Sequence, residues 1–176
     1  KQRNWNRTVG AMQDFIARYG RDTSAGELVV QAYWRVAQAR AQMNQGRQYQ
    51  QSLQDVVSAF ARSGQQPGSM AAEYSAHARF ILVDEGIGAF EGTLQVNPGS
   101  QATTKQYVEV LKQQIDSGAR QAGRRAESYN PLPEYRRPIW TIAAFVQQGR
   151  IYELLAKVVD FLQLAHDEGA HHCFRA

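Results

Sequence analysis

An all-α fold is predicted, built as antiparallel helical hairpins stacked into a short α-solenoid, and three features predict it. The first is an internal repeat at an offset of 44 residues, which pairs Val9, Met12, Ile16 and Gly20 with Leu53, Val56, Phe60 and Gly64. The same offset pairs Ala32, Arg35 and Val36 with Ala76, Arg79 and Phe80, so two helical stretches recur together. A period of this size marks units that cannot bury an apolar face alone and stack to do so. The second is apolar residues at helical spacing between glycine and proline breaks. The third is the lack of any period-two stretch between hairpin turns.

The first helix is expected over about Trp5–Tyr19, with Val9, Met12, Ile16 and Tyr19 on one stripe and Gly20 ending it in a left-handed turn. Asp22, Thr23 and Ser24 offer capping oxygens to a second helix, and Glu27 stands three residues after Ser24 in capping-box order. That helix is expected to run to about Gln45 and to bury Val29, Ala32, Val36, Ala39 and Met43, with Gly46 as a tight turn. A third follows over about Gln48–Arg62, presenting Leu53, Val56, Val57 and Phe60. Ser69 caps a fourth from Met70 to about Val96, interrupted by Gly86, Gly88 and Gly92, which read as close-packing points.

Asn97-Pro98-Gly99-Ser100 is a break, after which Thr103 or Thr104 starts a fifth helix carrying Tyr107, Val110, Ile115, Gly118, Ala122 and Ala126. Pro131, Pro133 and Pro138 bound an extended connector. Proline costs no intrahelical bond in a first turn, so Pro138 marks the start of a sixth helix. That helix, Trp140–Leu164, is expected to be the buried C-terminal closure. Residues 1–165 thus read as one helical domain and 166–176 as a frayed tail.

The 176 residues, 43% hydrophobic, suffice for a continuous core, and no stretch approaches the roughly 20 apolar residues of a membrane span. The chain begins at Lys1 and reads as a fragment, with any targeting or anchoring segment out of view. A lone cysteine, Cys173, excludes an internal disulfide. Formal net charge is +4, with Arg120, Arg124, Arg125, Arg136 and Arg137 close together. Such a cluster can meet phosphate, and Tyr129 and Tyr135 could stack bases, but a solvated helix face is the commoner outcome.

Leu28–Arg62 looks like a tetratricopeptide hairpin with a stretched unit: Ala32 and Ala39 let helices approach, Gly46 turns the chain and Phe60 closes the second helix. The usual unit has about 34 residues. The aromatic–small–aromatic pattern is clearest in Phe145-x3-Gly149-x2-Tyr152, where Gly149 would admit a neighbouring helix. The run from Trp140 to Ala156, with the Tyr129 connector, resembles the tail of tetratricopeptide-like cell-envelope proteins of deltaproteobacteria. Myxobacterial gliding-motility outer-membrane lipoproteins of the GltE type are among these. The resemblance implies a non-catalytic protein–protein interaction scaffold in the periplasm or at the periplasmic face of the outer membrane.

The chemistry-bearing residues support a scaffold. His166, Asp167, Glu168, His171, His172 and Cys173 are metal-type ligands, but no second cluster completes a zinc site and nothing orders a histidine against the thiol. Asp84 and Glu85 are adjacent on a helix and diverge by about 100°. Glu127, Glu134 and Glu153 lie near arginines as surface pairs, and no nucleophile elbow, P-loop or HExxH occurs. No catalytic residue, metal, cofactor or small-molecule substrate is therefore expected.

Arg35 and Arg79 occupy matching repeat positions, and matching positions on the first helices of stacked hairpins line one concave groove. With walls from Tyr33, Trp34 or Tyr74, that groove would take a protein or peptide partner with acidic groups, since arginine forks suit carboxylates. The bland alternative pairs these arginines with acids such as Asp55 and Glu73. Two other readings stand beside the scaffold. One is a nucleic-acid-binding helical domain using the Arg120–Arg137 cluster, and the other a capping domain that docks onto further repeats.

Overall fold

The computed structural model describes residues 4–94 and 104–173, with 93, 104–108, 111, 158 and 160–173 described by backbone alone. Among the described residues the chain is all-helical with no strand. The helices are α1 (Trp5–Tyr19), α2 (Gly26–Gln42), α3 (Gly46–Arg62), α4 (Met70–Asp84), α5 (Ile87–Thr93), α6 (Thr104–Glu127) and α7 (Pro138–Cys173). Short 3-10 turns lie at Thr23–Ala25 and Leu132–Tyr135. The chain divides into two compact units, Lys1–Asp84 with Asn130–Ala144, and Glu85–Tyr129 with Phe145–Ala176.

In the first unit α1 packs on α2, α2 on α3, and α4 on both α2 and α3. α2 begins at Gly26 and α4 at Met70, which is the repeat offset, and the paired Ala32 and Ala76 are both buried. The core is built from small residues that let helix axes approach: Ala37, Ala59, Ala71 and Ala78 pack with Val30, Trp34, Leu53 and Val56. Val29, Ala32, Val36 and Ala39 are buried as the spacing requires, while Met43 is half-buried. Polar bonding crosses α2 and α3 where Arg40 donates to the Ser52 hydroxyl at 2.7 Å and to the Gln48 carbonyl at 3.1 Å.

Several local expectations need correction. Gly20 ends α1 with a right-handed φ of −62°, not a left-handed turn. Ser24 is not the cap and no capping box forms with Glu27. Instead Asp22 accepts from the Ser24 backbone N–H at 2.9 Å and its hydroxyl at 2.7 Å, opening a 3-10 turn before α2. Gly46 is the first residue of α3, and the turn before it falls on Asn44 at φ 55°, a conformation asparagine tolerates. Ser69 does cap α4, accepting from the Ala72 N–H. The expected fourth helix ends at Asp84, and α5 restarts at Ile87.

Of the three glycines there, Gly86 is a close-approach point: the Arg125 guanidinium lies where a Cβ would stand and donates to the Gly86 carbonyl at 3.0 Å. Gly88 and Gly92 have nothing against them. The Asn97–Ser100 break and Thr103 lie outside the described residues. The proline connector is not extended, since it coils into the Leu132–Tyr135 turn and ends on Arg136 at φ 52°. Proline at its first positions favours that turn, because φ is preset near the helical value.

The C-terminal helix differs most. Its backbone stays helical to Cys173, so the frayed tail from 166 is not observed. Nor is it a buried closure: Ile139, Ile142, Phe145 and Val146 are each at least 60% exposed and Tyr152 is 52% exposed. Gly149 faces open space rather than a seam.

The first unit is held together by a clamp on α4. The Glu73 carboxylate accepts from Arg137 Nε and, at 2.8 Å, from Trp140 Nε1, while Arg137 Nη1 donates to the Gly68 carbonyl at 3.0 Å. The Gly68 N–H donates to the Tyr135 carbonyl at 2.8 Å, and the Tyr135 ring packs tilted against Phe60. Removing Glu73 leaves two half-buried donors without their acceptor. Glu73→Ala should therefore cost about 2 kcal/mol by the usual worth of bonds to a charged group, discounted for partial exposure. Chemical denaturation checks this, and Glu134→Ala, at an exposed position, should stay within about 0.5 kcal/mol of the parent chain.

Candidate functional site

The recess best suited to a partner lies between α1 and α2. α1 is amphipathic and packs on α2, yet none of its residues is fully buried. Met12 and Phe15 form one wall, and Leu28, Gln31 and Ala32 of α2 form the other, with Arg35 at the end. The recess is open, with a volume of about 280 Å³. Leu28 is 55% exposed, so a large aliphatic side chain stands ready to be covered. Phe15 is braced by Tyr19, their ring centres 4.8 Å apart.

Arg35 is exposed, and its Nη1 donates to the Gln38 side-chain oxygen at 3.2 Å. Among the described residues no carboxylate balances the guanidinium charge, and Arg35 lines the apolar recess. Such a site can seat a carboxylate beside apolar side chains. Asp55 does not pair with it and instead accepts from Gln51 at 3.1 Å.

The other residues expected in one groove lie elsewhere. Arg79 is half-buried on α4, with its Nε enclosed and unbonded among the described residues, and Glu73 serves Arg137 and Trp140 instead. Trp34 is buried at 7% exposure, its ring stacked near Tyr74 at 6.3 Å and against His77 at 4.6 Å. The Tyr74 hydroxyl accepts from Gln31 at 3.1 Å. Tyr33 lines a separate recess of about 100 Å³ with Arg21, Asp22, Arg62 and Ser63. Of the five residues, only Arg35 reaches the α1–α2 recess. Met12, Phe15 and Leu28 supply its walls, and in the sequence Met12 signals this by its place on the apolar stripe of α1.

The basic cluster is only partly free. Arg125 is bound to Gly86 and Arg137 to Glu73, while Arg120, Arg124 and Arg136 are exposed. Arg124 and Arg125 edge a recess of about 430 Å³ with Phe90 and Gln121. Tyr129 is fully buried and Tyr135 lies against Phe60, so neither ring stands open to a base.

Among the described residues no cluster of histidine, cysteine and carboxylate is arranged to hold a metal. The side chains of His166, Asp167, Glu168, His171, His172 and Cys173 lie outside them. Asp84 closes α4 with Glu85 beyond it, Glu127 and Glu134 are exposed, and Glu153 pairs with Lys157 at 2.9 Å. No helix among the described residues is long and apolar enough to cross a membrane. Comparison with family models, with characterised proteins and with solved structures finds no match to this chain.

One ionisable group reports on the packing behind the recess. His77 lies between Trp34 and Trp140, its ring 4.2 Å from the latter. Burial pushes its pKa below the ordinary 6.5, against the opposing pull of Glu73 one turn away. The folded state therefore prefers neutral imidazole, and unfolded chains take up the proton first. Stability is complete above about pH 6.5 and declines as pH falls from there toward the lower folded value. Thermal melts across this range should show the decline, and His77→Phe should flatten it while leaving the plateau close to that of the parent.

Proposed function

We propose that this chain is a non-catalytic protein-interaction scaffold that receives a peptide segment in the recess between α1 and α2. The observation that supports it is the pairing of an apolar recess with the charge of Arg35, which no carboxylate balances among the described residues. A complementary segment carries two or three apolar side chains for Met12, Phe15 and Leu28 and a carboxylate for Arg35. Interfaces favour this mixture of aromatic, methionine and arginine groups. The recurrence of α1–α2 as α3–α4 supports a tetratricopeptide-like stack, in which such recesses open between successive helices. On that reading the chain serves a cell-envelope assembly of the gliding-motility type.

A selection of displayed peptides on the 176-residue chain tests the reading. Enriched peptides should combine acidic and apolar positions. Arg35→Ala should weaken them by about 2 kcal/mol, the ordinary cost of truncating one charge of a contact pair. Phe15→Asp should abolish binding, whereas Arg120→Ala and Arg124→Ala should leave it unchanged. The nucleic-acid reading predicts the reverse: single-stranded DNA bound with affinity falling steeply in salt, sensitive to Arg120 and Arg124 and indifferent to Phe15. Peptides insensitive to both Arg35 and Phe15 would overturn the recess as the site.

A further inference from the structure

A second recess, which shares no residue with the one between α1 and α2, lies where α1 and α3 end beside the start of α2. Gly26 makes that meeting close. A Cβ there would stand 2.9 Å from the Ser63 carbonyl, so the end of α3 rests against the first turn of α2. The approach gathers Arg21 from the link after α1, Tyr33 from α2 and Arg62 from the last turn of α3 around a space of about 100 Å³. A cation at the carbonyl end of a helix is favourable, which accounts for the two arginines but leaves their donors unused. Neither guanidinium, nor the Tyr33 hydroxyl, makes a hydrogen bond or ion pair among the described residues. Asp22 is the one acid of the lining, and its carboxylate is turned to the Ser24 N–H and hydroxyl rather than to either arginine.

We propose that this recess binds a phosphate group, as inorganic phosphate or a small phosphomonoester, between Arg21 and Arg62, with the Tyr33 hydroxyl donating to it. The number of donors selects the anion. One guanidinium fork already meets both oxygens of a carboxylate. Two guanidinium groups from separate elements, with the Tyr33 and Thr23 hydroxyls beside them, offer more donors than a single carboxylate accepts. Phosphate carries about two charges and at least three strong acceptor oxygens, so it meets both guanidinium groups at once. A space of about 100 Å³ holds one such group rather than a chain of them. The Asp22 charge opposes the anion and limits its affinity without removing the excess of positive charge in the lining. This site stands apart from the peptide reading of the α1–α2 recess, and either can fail alone.

Nuclear magnetic resonance on the isotope-labelled 176-residue chain tests the proposal by titration with inorganic phosphate at constant ionic strength. At pH about 7.5 phosphate is mainly a dianion. Amide shifts should saturate with a dissociation constant on the order of one millimolar, as exposed charge pairs give, and should centre on residues 20–23, 33 and 62–63. Arg21, Asp22 and Arg62 are exposed and Tyr33 is half-buried, so variants at these positions should keep the parent's helical circular dichroism. Arg21→Gln and Arg62→Gln should each weaken binding about tenfold, and Tyr33→Phe about threefold, as loss of one charged and one neutral hydrogen bond gives. Asp22→Asn keeps an oxygen for Ser24 while removing the charge, and should tighten binding. Acetate should bind at least about tenfold more weakly than phosphate, having half the charge and fewer acceptor oxygens. Glycerol phosphate binding as well as inorganic phosphate assigns the site to monoesters, whereas binding of inorganic phosphate alone assigns it to the free ion. Shifts that never saturate, or that respond to Arg120→Gln as strongly as to Arg62→Gln, would overturn the site. Equal binding of acetate would overturn the choice of phosphate.

Discussion

Glu73 receives two donors that lie 64 and 67 residues further along the chain, and the first compact unit exists in its present form because of that contact. The chain leaves this unit after Asp84 and re-enters it at Asn130. Closing so long a loop costs entropy that grows slowly with its length but must still be offset at the point of return. The offset is concentrated on a few groups. Arg137 bridges the Glu73 carboxylate and the Gly68 carbonyl, Trp140 adds its indole N–H, and the Gly68 N–H reaches back to Tyr135. Arg137 and Glu73 are only partly buried, so water competes for their charges. The start of α7 is therefore set by α4.

The clamp also explains why aromatic residues are spent in the interior. Trp34, Tyr74, His77 and Trp140 form a continuous row of ring contacts from α2 through α4 to α7. Elsewhere alanines let the helices approach closely, and Val30, Leu53 and Val56 fill the space between them. The lowered pKa of His77 follows from its burial in that row, which disfavours the charged ring more than Glu73 favours it.

Helix positions were legible in the sequence where local rules act alone. α1 falls on the residues its apolar spacing marks, α2 and α4 begin one repeat apart, and Ser69 caps as its chemistry suggests. Local rules failed where two of them compete. Ser24 and Asp22 both offer capping oxygens, and the carboxylate prevails by accepting two bonds from Ser24. Gly46 and Asn44 both suit a turn, and asparagine takes the left-handed residue. The site was less legible for a reason present in the sequence itself. Tyr33, Trp34 and Arg35 are consecutive on a helix, so they point about 100° apart and cannot wall one groove. Trp34 turns inward to Tyr74, Tyr33 toward the Arg62 recess, and Arg35 alone toward α1. The Glu73 clamp carried no local signal, because its partners become neighbours only through the fold.

The chemistry of the α1–α2 recess bears on what the proposed site would bind. Met12, Phe15 and Leu28 line it together with Arg35, which among the described residues is paired with an amide alone. A complement to the proposed site would carry the negative charge that the recess itself lacks. A surface that needs a charge it does not possess selects an unlike partner over a second copy of itself.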